Sequence, residues 1–117
     1  MSGMTRVIHK DLLESGRWFK LSMMQQLANI GADVGRALQW RAKGDMQASK
    51  DAFERALELI DFTVMDPKNK GRLREVLRVR ECLADYFVGD NQYGFTDEAW
   101  QNYFYYYGYI AALERGR

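Results

Sequence analysis

Apolar residues return every three or four positions along most of this chain, and a single proline interrupts them. From Trp18 to Lys43, Phe19, Met23, Leu27, Ile30, Val34, Ala37 and Leu38 share one side of a helix. The same spacing predicts a second helix from Met46 to Val64, with Met46, Ser49, Phe53, Ala56, Leu57, Ile60 and Val64 on its stripe. A third, from Pro67 to Phe87, turns Leu73, Val76, Leu77, Leu83, Ala84 and Phe87 inward. No stretch alternates with the two-residue period of a strand. Over 117 residues, this pattern admits one all-α domain and excludes a sheet-based fold.

The residues between the stripes place the helix ends. Gly44-Asp45 reads as the close of one helix and the cap of the next. Asp66 caps the third helix, and Pro67 suits its first position because proline has no N–H to leave unpaired. Val88 to Gly94 is dense in turn formers, and Thr96 caps a fourth helix with Phe95 and Trp100 spaced as a hydrophobic staple. Short connections between long amphipathic helices imply an antiparallel four-helix bundle. Ser15-Gly16 separates it from a short extra N-terminal helix near Lys10 to Glu14. Residues 1–16 are therefore expected to form a short helix or a partly disordered segment, and residues 17–117 the bundle. Gly31 and Gly35 border the first stripe, each costing about 1 kcal/mol of helix propensity relative to Ala. Their expected use is the close approach of a neighbouring helix.

Composition narrows the class further. A hydrophobic share of 47% is enough to build a core, and the one cysteine, Cys82, cannot form an internal disulfide. Met1 to Lys10 lacks the apolar run of a signal peptide, and the charge-free stretch near Ala99 to Leu113 is too short to span a bilayer. The expectation is a cytoplasmic chain with no membrane partner. A net charge of +1 gives no global pull toward nucleic acid, but it conceals an acidic second helix beside a basic third.

Lys68, Lys70, Arg72, Arg74, Arg78 and Arg80 fall within thirteen residues that hold a single acid, Glu75. Lys70, Arg74 and Arg78 repeat at four-residue spacing and form a basic stripe, either a solvated face or a phosphate contact. Arg80 falls at the centre of the third helix's apolar arc. An inward Arg demands an acid such as Asp33 or Asp61, or an anionic ligand. On the second helix, Asp51, Glu54, Glu58 and Asp61 make an acidic edge whose expected role is surface pairing with the basic stripe. Glu58 and Asp61 also have the spacing of half the magnesium site in helical nucleoside triphosphate pyrophosphohydrolases. The other half is missing: the first helix offers Gln25, Gln26, Asn29 and Asp33. His9 stands away from any metal-ligand spacing. No nucleophile has an evident base, and there is no Gly-rich phosphate loop or Cys/His cluster, so no cofactor is expected and a binding role is favoured over an enzyme. Gly44 to Leu59 resembles the second half of a tetratricopeptide repeat, but no second copy follows and it reads as an ordinary helical hairpin.

Eleven of the sixteen aromatic residues lie between Tyr86 and Tyr109. Trp100, Tyr103, Phe104, Tyr107, Ile110 and Ala111 make one face of the fourth helix, which the bundle core explains. Tyr106, Tyr109 and Leu113, with Tyr105 near them, project to the other side and predict a second contact. A homodimer through this helix is the leading expectation, and base stacking of a nucleic acid is the competitor.

Arg80-Glu81-Cys82-Leu83-Ala84-Asp85-Tyr86 resembles the late signature of the HEPN group of small helical domains. Phe95-Thr96-Asp97-Glu98-Ala99 resembles the acidic helix start that follows it, and Lys43-Gly44-Asp45-Met46 resembles the first hairpin turn. The likeness spans about Ala37 to Leu113, and the whole chain also resembles a small bacterial family of helical bundles. HEPN domains are associated with RNA cleavage, toxin–antitoxin pairs and nucleotidyltransferase partner subunits. Their active ribonucleases carry an Arg followed four to six residues later by His, in a composite site at a dimer interface. Here Asp85 stands five residues after Arg80, and an Asp does not replace an imidazole at neutral pH. The resemblance thus keeps Arg80 as an anion contact, and together with the basic stripe and the surplus aromatic face it leads to the expectation of a non-catalytic, dimeric partner module that contacts RNA or a nucleotide through Arg80, Asp85, Arg74, Arg78 and Lys70. The alternatives are a magnesium-dependent pyrophosphohydrolase using Glu58 and Asp61, and a purely structural protein that presents a helical surface to a protein partner.

Overall fold

Side-chain caps set where three of the four long helices start. In the computed structural model, which describes residues 9–116, α1 spans Lys10–Glu14, α2 Met23–Ala42, α3 Met46–Met65, α4 Leu73–Phe87 and α5 Asp97–Arg115. Asp45 accepts the Ala48 N–H at 3.0 Å and Thr96 accepts the Ala99 N–H at 3.0 Å, each satisfying an amide that the helix itself leaves orphaned. Gly44 closes α2 with φ +86°, a conformation that costs other residues a clash at Cβ. Phe95 stacks on Trp100 at 4.5 Å between ring centroids, which fixes the entry to α5. The short helix at 10–14 stands where it was expected. The rest of the expected N-terminal segment, residues 1–8, and Arg117 lie outside the described residues.

Two expected helices start later than periodicity predicts. Trp18–Lys20 is a 3-10 turn, and α2 begins only after Ser22, whose side chain accepts the Gln25 N–H while Gln25 reaches back to the Ser22 N–H. Likewise Pro67–Arg72 is a 3-10 turn and α4 starts at Leu73. Both turns are held by one buried polar cluster. Gln26 donates to the Trp18 carbonyl at 3.1 Å and to Asp66 at 2.8 Å, while Asn69 donates to Gln26 at 2.8 Å and to the Thr63 carbonyl at 3.0 Å. The Trp18 indole N–H donates to Thr63 at 3.1 Å. Buried as they are, these groups pair with one another, so the chain bends to bring them together.

Contacts at opposite ends establish the antiparallel bundle. Three residues join α2 to α3. The end of α2 meets the start of α5 through Arg41 and Asp97 (3.2 Å), and its start meets the end of α5 through Ser22 and Glu114 (2.6 Å). Phe53, early in α3, stacks on Phe87, late in α4, at 4.9 Å. Glu75, early in α4, accepts from Tyr107, late in α5, at 2.6 Å. At the level of the backbone α2 packs on both α3 and α5, and α3 on α4, whereas α4 and α5 scarcely touch. Long side chains span that last seam: Tyr86 meets Trp100 and hydrogen-bonds Asp97, and Tyr107 reaches Glu75. The crowding of aromatics in the last third of the chain is what closes the bundle.

Packing corrects several residue-level expectations. α4 buries Val76, Val79, Cys82 and Leu83, while Leu77 is exposed, so its inward face is rotated roughly a quarter turn from the predicted arc. Met46 is exposed rather than part of the α3 stripe. A Cβ on Gly31 would lie 2.6 Å from the Phe104 Cβ, which explains why α2 and α5 need glycine there. At Gly35 the same atom would meet nothing within 4 Å. No described helix is long and apolar enough to cross a membrane.

Candidate anion-contact face

The 3-10 turn and the first half of α4 carry the basic residues. Lys70 sits in the turn, and Arg74 and Arg78 follow at successive helical turns. Gly71, Arg72, Arg74, Glu75 and Arg78 line an open cleft of about 420 Å³. Within it Arg72 donates to Glu75 at 2.8 Å, and Glu75 also accepts from Tyr107, whose hydroxyl lies 3.4 Å from that of Tyr103. The Tyr107 hydroxyl, together with Arg72, holds the Glu75 carboxyl below the usual Glu range. Burial, reinforced by Glu75, pushes the Tyr107 phenol well above its ordinary value, so it remains a donor. Arg72 is thus neutralised by a fixed acid, and the Tyr107–Glu75–Arg72 chain ties α5 to the edge of the cleft.

Lys70, Arg74 and Arg78 differ from Arg72. Among the described residues no carboxylate pairs with any of them. Arg78 instead lies over the Tyr93 ring at 5.4 Å. Tyr93 is held beside it from two directions: its hydroxyl donates to Glu81 at 2.7 Å, and its backbone N–H donates to Asp85 at 3.1 Å. Asp85 accepts from Gln92 as well, at 2.9 Å, so this carboxylate organises the loop between α4 and α5. In that position it sets the place of Tyr93 rather than offering a donor to an anion.

Arg80 is half-exposed, not enclosed. Its Nε donates to Asp61 at 2.8 Å and its Nη2 at 3.4 Å, with the two side chains 39% and 52% accessible. Of the two acids expected to meet it, Asp61 does so. Asp33 is buried elsewhere, 2.9 Å from Arg36 and 3.9 Å from Arg55. The expected pairing of the acidic edge with the Lys70–Arg74–Arg78 stripe is not made among the described residues: Asp61 turns to Arg80, Glu54 to Lys50 and Asp51 to Gln47, which leaves the stripe unmatched. Glu58, the other acid of the candidate magnesium pair, accepts from the His9 backbone at 2.5 Å and its ring at 2.9 Å. Among the described residues no group of three His, Cys, Asp or Glu side chains stands together as a metal site.

On α5, Tyr105, Tyr106, Tyr109 and Leu113 are 76%, 57%, 55% and 45% accessible, on the side away from the core. The arrangement offers positive donors beside an aromatic ring on α4 and a wet aromatic stripe on α5. Sequence reasoning missed Arg41, which lies 4.7 Å from the Tyr86 ring and 4.8 Å from that of Phe87 while pairing with Asp97. The signal was its place on the α2 stripe, four residues after Ala37. No family model matches the chain, and neither a curated protein nor a solved structure matches it.

Proposed function

We propose that this chain is a non-catalytic binding module, a homodimeric helical bundle that contacts an anionic ligand, RNA or a nucleotide, over α4. The observation that carries this reading is the charge of Arg74 and Arg78 on an open cleft, with Lys70 in the turn before them and Tyr93 held beside Arg78, none of the three cations being paired with a carboxylate among the described residues. Three cations without acid partners give phosphate oxygens a favourable contact, and no internal ion pair has to break first. Tyr93 adds a ring at the end of the stripe on which a base can stack. Placing the HEPN-like segment around Arg80 on the same helix agrees with this direction. Its Arg is held by Asp61 and serves α3–α4 packing in the free protein.

Fluorescence anisotropy with a labelled single-stranded RNA tests the reading. Three phosphate contacts predict affinity falling about twentyfold between 50 and 200 mM salt. Arg74→Glu with Arg78→Glu removes most of the binding, while Lys50→Glu on α3, where Lys50 pairs with Glu54, leaves it unchanged. Equal binding by the wild-type chain and the α4 variant refutes the assignment.

A further inference from the structure

The open cleft beside α4 holds a carboxylate among its cations: Glu75 lines it together with Arg72, Arg74 and Arg78. An acid on a cationic surface is ordinarily free to swing toward water. Glu75 is pinned instead, one carboxyl oxygen accepting from the Tyr107 hydroxyl at 2.6 Å and the other from Arg72 at 2.8 Å. The two donors differ in how firmly they are placed. Tyr107 comes from α5 and is buried, so it anchors the carboxylate from the protein side. Arg72 keeps half of its side chain in solvent, and an exposed ion pair of this kind adds little stability.

This asymmetry decides what an incoming anion meets. A phosphate can draw Arg72 away easily, but the carboxylate stays behind because Tyr107 still holds it. The ligand then gains one cation and faces one fixed negative charge in the same cleft, so repulsion offsets the new contact. Among the described residues no acid pairs with Arg74 or Arg78. The cleft therefore works with two of its three arginines.

We propose that Glu75 is the residue that limits anion affinity at this cleft: fixed by Tyr107, it withholds Arg72 from the ligand. This rests on the anion contact proposed above and adds the residue that sets its strength. Neutralising Glu75 frees Arg72 as a fourth phosphate donor beside Lys70, Arg74 and Arg78. Each further phosphate contact steepens the salt dependence. Four contacts in place of three predict that affinity for a single strand falls about fiftyfold between 50 and 200 mM salt, rather than about twentyfold.

Fluorescence anisotropy with the same labelled single-stranded RNA tests this on wild type, Glu75→Gln, Arg72→Gln and the double variant. Glutamine has the shape of glutamate and keeps a side-chain oxygen for Tyr107. Glu75→Gln should bind more tightly and show the steeper salt dependence, and adding Arg72→Gln should restore the shallower one. Removing any negative charge near the cleft tightens binding to a degree, so the coupling between the two positions is the deciding quantity. Arg72→Gln should weaken binding at least about fivefold more in the Glu75→Gln background than in wild type. Equal weakening in both backgrounds overturns the proposal. So does weaker binding by Glu75→Gln alone, since Glu75 would then be a contact to the ligand. RNA that binds none of the four proteins at 50 mM salt overturns the anion contact itself, and this inference with it. Glu75→Ala frees Arg72 in the same way and repeats the comparison if the Gln variant loses helical content by circular dichroism.

Discussion

Two glycines four residues apart on one helix should respond in opposite directions to the same methyl group. At Gly35 an added Cβ meets nothing within 4 Å, so Gly35→Ala gains the full propensity difference, about 1 kcal/mol. At Gly31 the new atom would stand 2.6 Å from Phe104 Cβ, 2.8 Å from Cγ and 2.9 Å from Cδ1. Comfortable carbon–carbon separation is about 3.5–4.0 Å, so the deficit approaches an ångström. Phe104 Cβ is the root of its side chain, and no rotamer change moves it away. α5 itself must shift, against the buried Trp100 and Tyr107 on the same helix. Overpacking of this kind costs about 1–3 kcal/mol, which cancels or exceeds the propensity gain. The two variants should therefore differ by about 1–3 kcal/mol, with Gly35→Ala the more stable. At roughly 4 °C per kcal/mol for a domain near this size, thermal melts followed by circular dichroism should separate by about 4–12 °C. Working at dilute protein concentration keeps association out of the comparison. Equal stabilisation by both substitutions would mean that α2 and α5 do not approach at Gly31, and the helix packing described above would be wrong.

The buried cluster at the base of the bundle gives a second expectation: Asn69→Ala leaves the Gln26 side-chain oxygen without its donor and the Thr63 carbonyl with the Asp66 N–H at 3.3 Å, and urea unfolding should show a loss of about 1–3 kcal/mol. Acid sensitivity supplies a third. Glu75 titrates below its ordinary range because Tyr107 and Arg72 donate to it, and at Asp66 hydrogen bonds from Lys68 and Gln26 outweigh the upward push of burial. Since both folded-state values are depressed, the unfolded chain binds more protons over this interval. Their contribution is complete above the ordinary carboxylate pKa, about 4, and is lost as pH falls through the folded values. Denaturation midpoints measured from pH 7 down to pH 2 should be level above that point and fall below it, less steeply in Glu75→Gln; an equal slope in variant and wild type would remove Glu75 as a contributor. Tyr107→Phe keeps the ring and removes the donor, so the Glu75 carboxyl should titrate closer to its ordinary value by NMR, and an unchanged titration would exclude the bond.

What the residues alone disclose follows a physical division. Helix identity, the caps at Asp45 and Thr96, the Phe95–Trp100 staple and the exposure of Tyr105, Tyr106 and Tyr109 depend on neighbours within a turn or two, and these were legible. The breaks after Lys20 and Arg72 depend on Gln26 meeting Asp66 and Asn69, forty or more residues away, which periodicity cannot register. Ser22 and Gln25 nevertheless carry the local signature of a helix start, and that signal was available. The misplacement of Arg80 has a related origin. α4 is so charged that its few apolar residues outline two arcs, and only packing against α3 selects the one containing Val79 and Cys82. Legibility of the candidate site was uneven for the same reason. The stripe of Lys70, Arg74 and Arg78 is a matter of spacing, whereas the ring of Tyr93 beside it depends on Asp85 and Glu81 holding a loop.

The anion contact on α4 is tested most directly by an NMR titration of the isotopically labelled chain with a short single-stranded RNA. The account predicts that shifts concentrate on Lys70, Arg74 and Arg78 and on Tyr93, and that they fade as salt is raised. Shifts confined to the acidic edge of α3, or none at all at low salt, would contradict it.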